Sequence, residues 1–401
     1  VSAAGGRGAQ HASRLIRTAN RYRVLRQVLA DGPVSRPALA AATGLSQATV
    51  ATVTGELHRR GLVRVAGFED SAAGRPAALL AVDPAGGALI GVDVAETYVH
   101  AELFDLTLRV LATARLPLAP GEDGPELVAE RTAEAVSRVR EQGAPTGVPV
   151  LGVGVTMPGM VDREGGVSVF AANWDWHGVP LLGLLARHIP YRLYLDNPLR
   201  ATTVAELWFG AARGRQDAVV VNLGTGVGAG LALGGAVHRG VSNSAGEWGH
   251  TTLVHGGRPC RCGRHGCVES YVGAPGIIRT LREVAPGSAL LRPGDQMGTI
   301  AALAAGSVAG DPVARRVLEV CADQLGAAVA DLVNLLNPEV VVLSSWVARE
   351  WGAPLLEAVR GAVGRYALGR PAASAEIVLS PVEGDPVSLG AATFALEGAL
   401  A

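Results

Sequence analysis

The stretch "EWGHTTLVHGGRPCRCGRHGCVESYVG", Glu247 to Gly273, constrains this chain more than any other. Three of the four cysteines, Cys260, Cys262 and Cys267, fall within eight residues, and His250 lies ten residues upstream. In a cytoplasmic chain such clustering argues against disulfides and for a metal. Three thiolates and an imidazole make a closed tetrahedral set. That set selects a structural Zn2+ and leaves no open position for a catalytic water. His255 and His265 compete with His250 as the fourth ligand. Cys321, in "RRVLEVCADQLGAAVADLV", falls on an apolar helical pattern and is expected in a core.

Charge divides the chain. Residues 1–80 hold 11 arginines against four acids, +7, whereas the other 321 hold 24 arginines against 32 acids, −8. A basic head on an acidic body suggests a nucleic-acid-binding module attached to something else. Every basic side chain of the Lys/Arg pair is arginine, which excludes a Schiff-base lysine and a GxxxxGK[ST] phosphate loop. The N-terminus carries arginines without an apolar central region, and no stretch approaches a spanning apolar run. The expectation is a cytoplasmic protein that does not engage the membrane.

The head reads as a winged helix-turn-helix over 20–84, behind a flexible basic arm over 1–19. Val24, Leu25, Val28 and Leu29 stripe a first helix, which "ADGP" ends. A second starts at "SRPALAAATG", with Ser35 as N-cap, Pro37 in the first turn and Gly44 beyond its end. A third follows in "LSQATVATVTGELHRRGLV", capped by Ser46, with Val50, Val53 and Leu57 on one face. Two short helices joined by a tight turn place the second in the DNA major groove. Its outward residues are Gln47, Ala48, Thr49, Ala51 and Thr52. Gln reads adenine edges, and Ala or Thr methyls suit the thymine methyl. Ser46 and Arg59 complete the expected contacts of this helix with a double-stranded operator. "GLVRVAGFEDSAAGRPAALLAVD" reads as the wing hairpin, with Arg75 near its tip reaching a minor groove or phosphate.

From about Ala88 apolar strands alternate with helical stretches, so the body is α/β with ligands at strand ends. In its first run, "ALIGVDVAETYVHAELFDL", Asp93 is expected at a hairpin turn. "NLGTGVGAG", Asn222 to Gly230, is a Gly-rich turn between two strands, a weak signal taken singly. Combined with "GVTMPGMVD", "EWGH", the cysteine cluster and "NLLNPEVVVL", it resembles the ROK family of repressors, open reading frames and kinases, along nearly the whole chain.

The resemblance implies an actin-like (ribonuclease H-like) two-lobed sugar-kinase fold closing on a sugar, in a homodimer or homotetramer. The lobes are expected over 85–195, completed by a C-terminal helix over 386–401, and over 196–385 with the zinc site. The family's sugar contacts fall on Asn197, Glu247, His250 and Glu269, with Gly159 and Asn173 as further contacts. Carboxylates and amides suit vicinal hydroxyls, and a zinc-bound His250 keeps its second nitrogen for a hydroxyl. Trp174, Trp176 and Trp248 are either apolar faces for a pyranose or hinge packing.

"LDNPLRATTVAE" separates kinase from sensor. Aligned on Glu206, it puts Asn197 on the family's asparagine and Pro198 on its catalytic aspartate. Proline cannot accept a proton. The family's first phosphate loop, "DxGGT", is here "DVAET", Asp93 to Thr97, with Glu96 repelling phosphate. The glycine run expected after "VVVL" is "SSW", with Trp346 where a nucleotide base belongs. Loss of the general base alone costs about 10²–10⁴-fold, and the second substrate is lost too. The expectation is a non-catalytic sensor of a sugar or sugar phosphate that governs a DNA-binding repressor. The alternatives are a bifunctional sugar kinase with a DNA-binding head, and a regulator whose body answers a protein partner.

Overall fold

Helix α1 (Ala3–Asp31), strand β1 (Val34–Ser35), helices α2 (Arg36–Thr43) and α3 (Gln47–Arg59), and strands β2 (Val63–Phe68) and β3 (Ala78–Val82) make up the head. This computed structural model describes residues 3–69, 76–119, 121–143, 147–171 and 173–400. α2 ends at Gly44, in the left-handed region at φ 68°, and Ser46 then caps α3 by accepting from the Thr49 N–H. These stop and start signals, two residues apart, make the tight turn. Val24, Leu25, Val28, Leu39, Val50, Val53 and Leu57 are buried together as the head's core. β1, β3 and β2, in that order, form an antiparallel sheet whose β2–β3 pair is the wing. The wing tip, with Arg75, lies outside the described residues.

The arm expected over 1–19 is helical from Ala3, as the start of α1. Helix propagation is cooperative, and the turns nucleated where Val24, Leu25 and Val28 pack can extend outward through Ala- and Arg-rich sequence.

The body continues with β4 (Ala88–Val94), β5 (Tyr98–Asp105), β6 (Val110–Pro117), α4 (Pro125–Gly143), β7 (Val150–Thr156), β8 (Met160–Asp162), β9 (Val167–Ala171) and β10 (Trp176–Val179). Then come α5 (Leu181–Ala186), β11 (Leu193–Asp196), α6 (Pro198–Phe209), β12 (Ala218–Leu223), β13 (Val227–Leu233) and β14 (Ala236–His238). α7 (Glu269–Val272), α8 (Ala274–Val284), α9 (Gln296–Ala309), α10 (Pro312–Leu336) and β15 (Val340–Ser344) follow. The chain closes with α11 (Trp346–Trp351), α12 (Ala353–Tyr366), α13 (Gly369–Ser374), β16 (Glu376–Leu379) and α14 (Pro386–Leu400). Among the described residues no single helix is long and apolar enough to cross a membrane.

Two five-stranded sheets share one plan. Three antiparallel strands, β4–β5–β6 or β12–β13–β14, are extended by two parallel ones, β7 and β11 or β15 and β16. Strands β4 and β15 are buried along their whole length, which is why "ALIGVDV" and "VVVLS" read as unbroken apolar runs. This duplicated mixed sheet is the actin-like sugar-kinase fold.

Two compact units result. The first comprises residues 1–158, 180–196 and 391–401, so it includes the head; the second comprises 159–179 and 197–390. The small β8–β9–β10 sheet, expected in the first lobe, clusters with the second unit. The second unit's core lies on the β12–β15 sheet, where Val219, Val221, Val341 and Leu343 meet α10 residues such as Leu325 and Val329. Cys321 is buried there, and burial pushes its thiol up to about 12.

Glu206 is wholly buried in α6 and accepts from the Ala211 N–H at 3.0 Å. Burial raises its carboxyl above the ordinary 4.5, against the lowering effect of hydrogen bonds from Ser380 and Ala211. The native state therefore holds this proton to higher pH than the unfolded chain, and stability falls as pH rises through that window. Glu206→Gln keeps the shape without the charge. Its Tm is expected above the parent's at about pH 7.5, with the gap closing towards about pH 4 in a calorimetric series.

Candidate functional site

Asn197 and Pro198 start α6 in a way their residue types dictate. The Asn197 Oδ1 accepts from the Leu199 N–H at 2.7 Å, and Pro198 occupies the first helical position, where no N–H is needed. The Asn197 Nδ2 donates to the Gly159 carbonyl at 2.6 Å. Gly159 has φ 89°, and a Cβ there would stand 2.2 Å from the Phe170 carbonyl oxygen. Only glycine fits between Asn197 and β9. Asn173, two residues beyond the end of β9, is half-buried in the turn leading to β10. Asn197 and Gly159 thus meet in the second unit.

The "EWGH" turn, Glu247–His250, is a single 3-10 turn laid against β13. A Cβ on Gly249 would meet the Val227 carbonyl oxygen at 1.9 Å, so the backbones touch. Trp248 is buried and donates from its indole to the Ala328 carbonyl at 3.3 Å. It is therefore a core residue and no face for a sugar. Trp176 is buried as well, its ring 4.9 Å from that of Trp174 and tilted by 44°; Trp174 stays half-buried.

Glu247 and His250 flank Trp248 on the same turn. Burial raises the Glu247 carboxyl above its ordinary range; the charges of His250 and Arg200 oppose that, and Glu269 adds to it. These four groups therefore share one field. Glu269, at the start of α7, is oriented by the Val227 N–H, which donates to its Oε2 at 3.1 Å.

Sequence reasoning missed Arg200 and Asn243. Arg200 is 3% exposed on the first turn of α6, and its guanidinium donates to the carbonyls of Asn243 and Ala245. Asn243, at φ 54°, donates from its amide to the Val161 carbonyl at 2.7 Å. The pair holds the segment before "EWGH" on α6 and β8. A lone arginine among the largely apolar residues of "PLRATTVAELW" was the available signal.

His250, Cys260, Cys262 and Cys267 bring one ligand atom each to within 4.8 Å of one another. The Cys262 and Cys267 sulfurs are 3.7 Å apart, and the Cys260 sulfur is 3.7 Å from the His250 Nδ1. A tetrahedron with metal–sulfur bonds of about 2.3 Å has edges of about 3.8 Å, so the donor set fits a four-coordinate cation. Burial and the neighbouring sulfurs push the Cys267 thiol up to about 12. Three thiolates packed this closely need a cation among them. The cluster can hold a metal, and His250 faces it through Nδ1.

The "DVAET" stretch lies at the end of β4 and its turn, and "SSW" lies beside the Gly-rich turn. Asp93 lies within β4, two residues before the turn where it was expected, and accepts from the hydroxyls of Thr156 (3.3 Å) and Tyr98 (3.2 Å). "AET" closes a tight turn through the Ala95 N–H and the Tyr98 carbonyl at 2.9 Å. The Trp346 indole nitrogen stands 3.2 Å from where a Cβ would lie on Gly224, so it covers the Gly-rich turn. Ser345 sits at φ 77°, ψ 177°, a region adopted almost only by glycine. Ser345→Gly is expected to stabilise the chain by about 1 kcal/mol in urea titration, because that backbone strain is relieved.

On the head, Gln47, Ala48, Ala51, Thr52 and Arg59 are exposed along α3. The Ser46 and Thr49 hydroxyls are 2.8 Å apart within the cap, and the Thr52 hydroxyl donates to the Ala48 carbonyl at 2.9 Å. Gln47 and the Ala48 and Ala51 methyls are thus exposed on α3.

A duplicated mixed sheet with a Cys3His centre, carried behind a winged helix-turn-helix, defines a DNA-binding regulator built on a sugar-kinase fold. The chain belongs to the ROK family, which it matches over residues 89–397, and it matches a winged helix-turn-helix DNA-binding domain over residues 17–64. It is 27% identical to the xylose repressor of Caldicellulosiruptor bescii over 387 residues, covering 94% of this chain and 95% of that one. It is 33% identical to the glucokinase of Thermotoga maritima over 316 residues, 77% of this chain and 97% of that one. A solved ROK family transcriptional regulator, a homolog of the E. coli MLC protein, superposes with a TM-score of 0.80 at 24% identity, covering 96% of each chain.

Proposed function

We propose that this protein is a sugar-responsive transcriptional repressor whose kinase-like body binds its sugar without phosphorylating it. The observation that carries the reading is at the start of α6. Asn197 caps α6 one residue before Pro198, which takes the first helical position, and Glu247 shares its field with His250, Arg200 and Glu269; aligned on the family's motif, Pro198 stands where the proton acceptor would be. The ligand-binding amides and carboxylates survive, and the chemistry does not. Trp346 on the Gly-rich turn and Glu96 in the "DVAET" turn work against nucleotide binding in the same direction. Similarity to a xylose repressor along nearly the whole length of both chains supports a repressor over a kinase.

The metal in this reading is structural Zn2+, held by His250, Cys260, Cys262 and Cys267. It supplies a fixed cross-link and no open coordination site. His250 would keep Nε2 for a sugar hydroxyl; Glu247, Glu269 and Asn197 supply further acceptors and donors, with Gly159 and Asn173 beside them. Ser46, Gln47, Ala48, Thr49, Thr52, Arg59 and Arg75 face the operator, with two heads of a homodimer or homotetramer on a pseudo-palindrome. The sugar acts by favouring one arrangement of the body over another.

The test is a thermal-shift screen of zinc-loaded protein against pentoses, hexoses, their phosphates and Mg-ATP, with ATP turnover measured alongside. A ligand at about a hundredfold its Kd raises stability by about 2.7 kcal/mol if only the native state binds it. A shift with one sugar, none with Mg-ATP and no turnover is the expected result. Turnover of ATP with any of the sugars would instead make the protein a kinase with a DNA-binding head, the reading its similarity to glucokinases favours.

A further inference from the structure

We propose that Arg258 is the positioning residue of the Cys3His cluster: it anchors the hairpin that carries the cysteines and so raises the affinity for the cation. The inference rests on the reading that this cluster holds a metal, and it concerns a residue that is itself no ligand. Arg258 sits where the hairpin closes. Its carbonyl accepts from the Gly266 N–H at 2.7 Å, and two residues along, the Cys260 N–H donates to the Arg264 carbonyl at 2.8 Å. Pro259 and His265 pair between them. Cys260 and Cys262 lie within this closed loop, and Cys267 follows its last residue. All three cysteines therefore depend on where the base of the hairpin is held.

That base is fixed to a break between two helices. α7 ends at Val272 and α8 starts at Ala274, with Gly273 extended between them at φ −70°, ψ 158°. In a continuous helix the Ala274 N–H would donate to the Ser270 carbonyl. Here it donates to the Gly224 carbonyl of the Gly-rich turn at 2.9 Å, which leaves the Ser270 carbonyl for Arg258. The Arg258 Nη1 donates to it at 3.2 Å and to the Gly276 carbonyl at 3.1 Å. Nη2 donates to the Thr280 hydroxyl at 3.0 Å and to Glu283. The backbone N–H of Arg258 donates to the Tyr271 hydroxyl at 2.9 Å, and its guanidinium lies 4.7 Å from the centre of that ring. Gly257 permits the approach, since a Cβ there would stand 2.1 Å from the Tyr271 hydroxyl oxygen. The Arg258 side chain is only 9% exposed. A guanidinium so far from water is costly unless its donors are used, and its planar fork meets these acceptors at angles an ammonium cannot match. Fixing the hairpin through contacts with protein alone lowers the ordering that the cation must impose on its ligands.

The experiment measures the Zn2+ affinity of the full-length chain by competition with a chromophoric chelator. Co2+ absorption reports the ligand set, and urea unfolding reports stability. Arg258→Met is expected to weaken Zn2+ by about 10- to 100-fold, with the Co2+ bands still those of a tetrahedral three-thiolate site. Arg258→Lys, which keeps the charge without the fork, is expected to recover part of that loss. Glu283→Gln removes only the half-exposed partner and is expected to stay within about twofold of the parent. Val329→Ala, on α10, lowers stability elsewhere in the same core and is expected to keep the parent's affinity. Parental affinity in Arg258→Met, or an equal loss in Val329→Ala, would overturn the proposal. A parent that binds neither Zn2+ nor Co2+ would overturn the metal reading and this proposal with it, an outcome distinct from a parent and variant that bind equally. If Arg258→Met does not fold, Tyr271→Phe, which removes the acceptor of the Arg258 N–H, replaces it, and the same outcomes decide.

Discussion

Cys267→Ser is expected to lower the stability of the protein by about 3 kcal/mol or more and to abolish stoichiometric zinc. The sulfur of Cys267 lies 3.7 Å from that of Cys262, and the residue is 1% exposed against the second unit's core. A serine oxygen there is a poor ligand for a metal that thiolates select. The loss spreads because the four ligands tie the "EWGH" turn, the 258–267 loop and the start of α7 together. Chelation of the parent should reproduce the effect, with Tm falling to that of the variant. Cys321→Ser is the control: also buried, but on α10 and apart from the cluster, it should cost about 1 kcal/mol and leave the metal content intact. A Cys267→Ser protein that melts like the parent and still binds one zinc would remove the metal from the account.

Glu247→Gln is expected to weaken binding of the effector sugar by about 10- to 100-fold, the worth of a charge-assisted hydrogen bond made in a half-buried site. Burial already disfavours the Glu247 carboxylate, so the free protein should lose no stability when the charge is removed. Asn197→Ala separates two roles that Glu247 does not combine. It should weaken the sugar comparably and also cost about 1 kcal/mol of stability, because Asn197 caps α6. Isothermal titration with the sugar found in the screen, next to urea unfolding of the free proteins, distinguishes the two patterns. If both variants bind the sugar as the parent does, the pocket lies elsewhere and the body answers some other signal.

The parts legible in the sequence were those decided by neighbours in the chain. Ser46 and Gly44 set α3 and its turn, Asn197 and Pro198 start α6, and the β4 and β15 runs announce buried strands. The Cys3His set was legible because three ligands lie within eight residues. Three features were misread or missed. Residues from Ala3 join α1, because a helix end is set by propagation from a packed core as much as by local composition. Trp248 is a core residue, since its indole reaches Ala328, 80 positions away. Arg200 gained its importance from carbonyls more than forty residues downstream.

The sequence by itself determined most of the types of element and the donor chemistry of the Cys3His cluster. Each rests on residue identity and short spacing, where propensity, capping and ligand preference act. Only the tertiary structure decided that Trp346 covers the Gly-rich turn and that Arg200 and Asn243 hold the segment before "EWGH". Those facts depend on which distant backbones approach closely enough for a glycine to be required or a guanidinium to find a carbonyl. Such approaches are set by the packing of whole sheets and helices, which no local pattern encodes.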